Sequence, residues 1–532
     1  MTVLKTAHSV FFPLPLLLFI TGIQYGDLTL ALIAVIAQFV LNVLYAIERL
    51  SRRSVFLYFH LAIALFLVFR PTFDLLTGVQ WMPDARAGAQ FCVTALFITL
   101  FLLRLGSMVA EWRQGLVDQR APLAAPAGQQ TLARTQALYA LRVAAGIVFV
   151  IGFLGLLWLG ITKLGYMAGK GYVDYYLISV DENTNIVQRT LATMEPYALC
   201  AFLATFPGKK ASTVALGLNV VTAIPMLIIG SRGDFVYSAL FFILYYVLRE
   251  VTDGKGTWIG TLEKTVAAIV IPVGIIAMGL VSYIRSNVQV GDATVVDSLI
   301  KALYSQGVSF DILSRGFNVD GRIEMLGSKN YTFGGLIDYF VQGPIGHYLF
   351  GFTDYGSVNS VQVAVNSNSY SHAMSYFAHP NYLGGEGYGS SYLLELYADY
   401  GYVGIGVFSL LFGGLLGYLP RLLKRSWMWG TLALIIILQI FPMPRSSVLD
   451  GFHFLYTLQF WFTIAIIWIG AKLLGADALR ATVLRSHRPH KPRVLTRGSA
   501  ALQPSLSCAL DAQLPVRTLP LLTVYRRRTQ QS

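Results

Sequence analysis

The chain has 532 residues, 55% of them hydrophobic and only 13% charged, with a mean hydropathy of +0.59. Soluble domains carry about 25% charged residues, so a soluble globular enzyme is excluded and a polytopic helical membrane protein is expected. The formal net charge of +13 accompanies no recognition fold, which sets a nucleic-acid partner aside.

Apolar runs in chain order predict about twelve spans: 9–26, 27–47, 54–70, 89–110, 143–165, 189–207, 211–229, 235–249, 263–283, 391–419, 428–442 and 451–473. Short alternating strands of the β-barrel kind are not evident. The first run follows Lys5 but has no clear small-x-small cleavage site, and is read as a retained helix. The fold class is therefore all-α and polytopic. Its expected divisions are nine spans over 1–283, a large outer segment of short helices and loops over 284–390, three further spans over 391–474, and a basic tail over 475–532. That tail holds ten Lys or Arg against Asp477 and Asp511, is rich in Pro and Ser, and reads as a disordered stretch attracted to anionic head groups. The alternative reading is that its charge only fixes topology. Cys92 and Cys200 lie in apolar runs and Cys508 in the tail, with no disulfide or metal spacing.

Orientation follows the Lys and Arg of short connections. The connections "ERLSRR" (48–53), "EWRQGLVDQR" (111–120), "GKK" (208–210), "REVTDGK" (249–255) and "RLLKR" (421–425) all fall on one side, with both termini, and that side is expected to be cytoplasmic. The opposite face receives 71–88, 166–188, 230–234, 284–390 and 443–450.

Three Arg then stand on the outer face at helix ends: Arg232 in "GSRGD", Arg285 in "SYIRSN" and Arg445 in "FPMPRSS". One such Arg could simply snorkel to lipid phosphates. Three on one face suggest an anion site, because a guanidinium keeps its charge and binds phosphate bidentately. Gly230 and Gly233 permit a tight turn whose backbone N–H groups add to the cradle. A second constellation runs through "HPNYLGGEGYGSSYLLELYADYGYVGIG", His379 to Gly406. Ser391, Glu395 and Asp399 are spaced four apart and share a helix face. Glu386, Glu395, Asp399 and His379 are the candidates to take a proton, with His372 as a further outer imidazole. Glu195, before Pro196, is a third carboxylate within a span, and any of these carboxylates has a structural alternative, satisfied by neighbouring hydroxyls. "GEGYGSS" lacks the Gly-Lys-Ser/Thr ending of a phosphate loop, and "RGD" is a chance match.

The outer "GSRG" turn, the large late outer segment and "GYGSSYLLELYADYGYVGIG" entering the next helix together resemble bacterial Wzy-type O-antigen and repeat-unit polysaccharide polymerases, over about 225–420. The resemblance implies an inverting glycosyltransferase needing no metal and no cofactor. Its substrate would be undecaprenyl-pyrophosphate-linked oligosaccharide, polymerised at the periplasmic face of the inner membrane. A polysaccharide chain-length regulator is a further candidate partner. In related ligases and polymerases a His-Asn pair often precedes the corresponding helix. Here Ser390-Ser391 stands there, which leaves the general base open among His379, Glu386, Glu395 and Asp399. The rival readings are an O-antigen ligase, a lipid-linked oligosaccharide flippase and an inactive scaffold. The missing His-Asn speaks against the first. The single late asymmetric segment speaks against the two-halved plan usual in transporters, and a scaffold has no need of three outer Arg.

Overall fold

A computed structural model describes residues 12–82, 85–120, 130–170, 184–253, 258–265, 268, 295–353, 355–356 and 358–486. Every regular element among them is helical: α1 Pro13–Tyr25, α2 Leu28–Glu48, α3 Leu50–Thr77, α4 Arg86–Arg120, α5 Gln130–Tyr166, α6 Ile186–Ala204, α7 Lys209–Ile229, α8 Gly233–Asp253, α9 Val295–Gln306, α10 Val308–Glu324, α11 Gly334–Val341, α12 Pro344–Phe350, α13 Val361–Asn366, α14 Tyr370–Ala378, α15 Tyr392–Arg425, α16 Trp427–Gln439 and α17 Leu458–Ser486. The chain forms two units, residues 1–479 and 480–532, and the helical bundle lies in the first.

Eight of these helices are long and apolar enough to cross a membrane: α2, α3, α4, α5, α7, α8, α15 and α17. Helices also lie at the other expected spans that are described, but differ in kind. Two are apolar and short, Pro13–Tyr25 and Trp427–Gln439. The 19-residue α6 carries Arg189 and Glu195, which lower its hydropathy. The expected ninth span, 263–283, falls mostly outside the described residues, as does Arg285.

The centre of the bundle is the pairing of α4 with α15, which run in the same direction. Gly106 and Gly413 make this possible, because a Cβ at Gly413 would run into the Leu103 carbonyl and one at Gly106 into that of Leu410. Small residues let two membrane helices approach to backbone contact, where packing rather than the hydrophobic effect drives association. A second pairing joins α5 to α6, and α6 continues onto α16. Polar side chains inside the bundle satisfy one another. Gln38 donates to Asn42 (2.9 Å), and Asn42 donates to the Leu100 carbonyl (2.8 Å) and meets His60 at 3.1 Å. This ladder locks α2, α3 and α4 together without exposing a polar group to lipid.

The basic connections contact one another at one end of the bundle. Arg53 pairs with Glu48 (3.0 Å) and donates to Glu111 (2.7 Å). Arg249 reaches the Pro207 carbonyl (2.9 Å), Lys424 the Thr252 carbonyl (3.4 Å), and Gln114 the Gly417 carbonyl (3.4 Å). The opposite end carries the start of α8, α15 and α17, the end of α3, and the helices α9 to α14 of the expected outer segment. Of these, α10 is the keel: it packs on α4, where Phe91 stacks on Phe317 (4.8 Å), and on α14.

Two local irregularities shape that end. In α3 the backbone widens into a π turn over Ala64–Val68, with the Phe69 N–H reaching back to the Ala64 carbonyl. Pro71 comes next, and a proline cannot donate to the carbonyl four residues back, against which its ring would clash. A π turn absorbs this misfit. In α15, Gly401 has φ 62° and ψ −158°, so the helix is broken there. Glu395 and Asp399 therefore sit on a short helix Tyr392–Tyr400 ahead of the break rather than within one unbroken span.

Candidate active site

The turn around Arg232 is built by its glycines in two ways. Gly230 ends α7 with φ 111°, a conformation that a Cβ disfavours. The Gly230 N–H donates to the Leu227 carbonyl (3.1 Å) and the Ser231 N–H to that of Met226 (2.9 Å), which reverses the chain. Arg232 then opens α8, its carbonyl accepting the Val236 N–H at 3.2 Å. Gly233 lies under the Tyr237 ring, which a Cβ there would approach to 3.3 Å. The half-buried Arg232 thus stands at the start of a 21-residue helix, whose free N–H groups and dipole favour an anion.

Tyr237, one turn after Gly233, begins a row of packed rings. Its ring lies 6.0 Å from Phe441, Phe441 lies 5.9 Å from Phe66 of the π turn, and the Arg445 guanidinium sits 5.4 Å over Phe66. Arg445 donates to Gln306 Oε1 at 3.2 Å. It faces no carboxylate among the described residues, unlike Arg53, Arg249 and Arg70. A half-buried guanidinium held over an aromatic face without such a counter-ion is a cation waiting for an anion. Phe66 and Phe441 are buried, so these rings form an internal row that packs α8, the helix opened by Arg232, against the loop that carries Arg445.

Arg70 stands outside the set that the sequence suggests, yet it belongs to the same corner. It pairs with Asp311 (3.0 Å), stacks on Tyr304 (4.6 Å) and packs against Gly307, next to Gln306. Its signal is present in "FRPTFD", an Arg at the outer end of the third expected span, where it reads as the last residue of that span.

The carboxylates separate by environment. Glu395 is buried and fully engaged: Oε1 accepts from Ser390 (3.0 Å), and Oε2 from the Ser447 hydroxyl (2.9 Å) and the Val448 N–H (2.9 Å). It staples the loop carrying Arg445 to the start of α15. Ser391 caps that helix, accepting from the Leu393 N–H at 3.3 Å. The serine pair that replaces the expected His-Asn is thus used for capping and stapling. Asp399 accepts the N–H groups of Tyr331 (3.1 Å) and Thr332 (2.6 Å). Together with Asp320, Glu324, Lys329 and Tyr331 it lines a cleft of about 300 Å³ between α10 and α15. Burial is the main cause that raises the Asp320 carboxyl to about 6, with Glu324 and Asp399 adding repulsion.

Glu386 is different, being 46% exposed on its side chain. It accepts from Asn381 Nδ2 (3.0 Å) and faces His379 Nε2 at 3.7 Å. His379 Nδ1 accepts the Asn381 N–H (3.2 Å), which leaves the imidazole proton on Nε2, toward Glu386. The His379 ring packs on Tyr388 (4.8 Å), whose hydroxyl receives Arg315 at 2.7 Å. One residue beyond Tyr388, a Cβ at Gly389 would lie 3.1 Å from the Arg445 carbonyl, so the loop that carries Glu386 passes the Arg445 backbone, and Glu386, three residues earlier, has its Cα within about 15 Å of that carbonyl. His372 pairs with the Tyr382 hydroxyl (2.9 Å), and burial lowers its pKa, which keeps it neutral. Glu195 is buried in α6 against Gly152, away from this cluster.

The model of the family O-antigen polysaccharide polymerase Wzy matches residues 8–476. The chain belongs to that family. The match covers nearly every described helix, and both Arg232 and Arg445 lie within it. Wzy proteins are integral membrane polymerases that join O-antigen repeat units. No curated protein and no solved structure matches the chain.

Proposed function

We propose that this Wzy protein polymerises undecaprenyl-pyrophosphate-linked repeat units at the periplasmic face of the inner membrane, with both termini cytoplasmic and about twelve spans. The observation that carries the reading is Arg445: a half-buried guanidinium with no carboxylate within 4 Å among the described residues, packed through the buried Phe66 and Phe441 onto Tyr237 of the helix that Arg232 opens, at the end of the bundle away from the basic connections. A polyprenyl donor would lie in the bilayer with its diphosphate against Arg232 and Arg445, and Arg285 is kept in the set on the strength of its sequence position. Arg70 is assigned a positioning role, holding Gln306 and the start of α10 beside Arg445.

The reaction then follows from charge. The bond from the donor sugar C1 to the phosphate oxygen breaks, and its electron pair leaves on the diphosphate. The acceptor hydroxyl attacks C1 from the opposite face, which inverts the centre, and its proton passes to a carboxylate. Fixed guanidiniums stabilise the growing negative charge more than the ground state. Among the candidate bases Glu386 is best suited, being exposed and supported by Asn381 and His379. Glu395 has its acceptor positions filled, and Asp399 is bound to backbone N–H groups at the cleft. That cleft is of a size to take a sugar ring, and its carboxylates and Lys329 suit hydroxyl-rich glycan.

The polymerase reading is tested by Arg232→Ala at normal expression. Surface glycan limited to single repeat units is expected, and normal chain length would remove the assignment. Purified protein with lipid-linked repeat units separates an enzyme from a flippase: a product ladder without metal or nucleotide sugar supports the polymerase, and no ladder opposes it.

A further inference from the structure

We propose that the hairpin α11–α12 is a membrane-interface anchor, seated in the outer leaflet beside α17. The segment from Gly334 to Thr353 contains one carboxylate and no Lys or Arg. That carboxylate, Asp338, is turned inward: it accepts the Asn368 N–H (2.9 Å), Asn368 Nδ2 (2.8 Å) and Gln342 Nε2 (3.0 Å). The outward surface is apolar. Tyr348 is 82% exposed, Leu349 73% and Phe350 67%, with Phe340 and Phe352 beside them. A patch of this kind on a water-facing loop is costly and marks a surface that is covered in use.

The cover is identified by what the hairpin adjoins. The Tyr339 hydroxyl accepts the N–H of Leu458, the first residue of α17. That helix is one of those long and apolar enough to cross the membrane, and its first turns also expose Leu458, Trp461 and Phe462. The hairpin patch therefore lies at the level where a lipid-facing helix enters the bilayer. Tyr and Trp are the side chains that settle at that boundary, with apolar neighbours dipping below it. The hairpin is also pre-shaped. A Cβ at Gly346 would collide with the Val341 carbonyl and one at Gly343 with that of Tyr339, so the two short helices close on each other at glycine contacts. Lipid is the occupant: the outward face carries no Lys, Arg, Asp or Glu, with His347 as its one imidazole, and it continues the lipid-facing surface of α17. The anchor would set the height of the outer helices over the bilayer, because Asp338 ties it to Asn368 and the Asn368 carbonyl abuts Gly334.

The test uses full-length protein in nanodiscs, with Cys508→Ser and Leu349→Cys, labelled at 349 with an environment-sensitive fluorophore. Spin-labelled lipid is expected to quench the probe several-fold more than aqueous iodide. Iodide quenching equal to or above that by lipid would place the hairpin in water and overturn the proposal. Shielding from both quenchers would mean a protein partner or a second copy covers it, and would overturn it equally. These outcomes do not depend on polymerase activity, so they stand apart from the assignment of the catalytic residues.

Discussion

Arg445 and the carboxylates proposed for the same site make different demands on substitution. Removing a fixed donor that binds the leaving group more strongly in the transition state costs on the order of 10²–10³ in rate, and on the proposed reaction Arg445→Ala is expected to lower the polymerisation rate by that factor. Glu395 is expected to behave as a staple. In Glu395→Gln the amide oxygen can still accept from Ser447 and the Val448 N–H, while the NH₂ donates to Ser390, whose hydroxyl can rotate to accept. Polymerisation should then stay within about tenfold of normal. Base catalysis is worth about 10²–10⁴, and Glu386→Gln should lose that much. Rates of the two variants side by side decide which carboxylate takes the proton. Asp320 gives a pH signature. Its folded pKa, near 6, is above the usual carboxylate value, mainly through burial, so the folded state holds the proton longer than the unfolded state. Stability therefore falls as pH rises from about 4 to 6 and then levels. Asp320→Asn keeps an acceptor for Tyr370, and should be neutral at pH 4 and stabilising at pH 7, read by thermal unfolding in detergent.

At the scale of elements, the contact of α4 with α15 is the most exacting. A side chain at Gly413 has the Leu103 backbone in its way, so Gly413→Leu must push the helices apart. The expected outcome is loss of folded protein in a size-exclusion assay, while Gly217→Leu, in open space on α7, leaves yield unchanged. Apolar runs are legible as helices because a bilayer forces the backbone to satisfy itself. The "GSRG" turn is legible because Gly230 must take a positive φ. Less legible are features that depend on packing across the chain. The break at Gly401 lies inside the run read as one span, 391–419, with no proline to mark it. The role of Glu395 needs Ser447 and Val448, far along the chain. The corner formed by Arg70, Gln306 and Arg445 joins three separate connections, and the widening of α3 that presents Arg70 is apparent only once Pro71 is seen inside a helix.

Across the whole molecule, charge is sorted to two ends. One gathers the paired basic connections, with Arg53 and Arg249 neutralised by carboxylates. The other gathers Arg232 and Arg445 with the cleft, the Glu386–His379 pair and the apolar hairpin. The proposed reaction, with a lipid diphosphate donor and a sugar hydroxyl acceptor, calls for such a division, with a cationic site at the membrane boundary and a wet surface above it. Reporter fusions after residue 232 should report the periplasm, and a cytoplasmic result would separate Arg232 from the proposed substrate. The most direct measurement is the product ladder from purified protein and lipid-linked repeat units, with chelator and without nucleotide sugar, for the wild type and for Arg445→Ala matched in folded amount. The account predicts a ladder for the wild type and a rate reduced by about 10²–10³ for the variant. Equal ladders from both would contradict it.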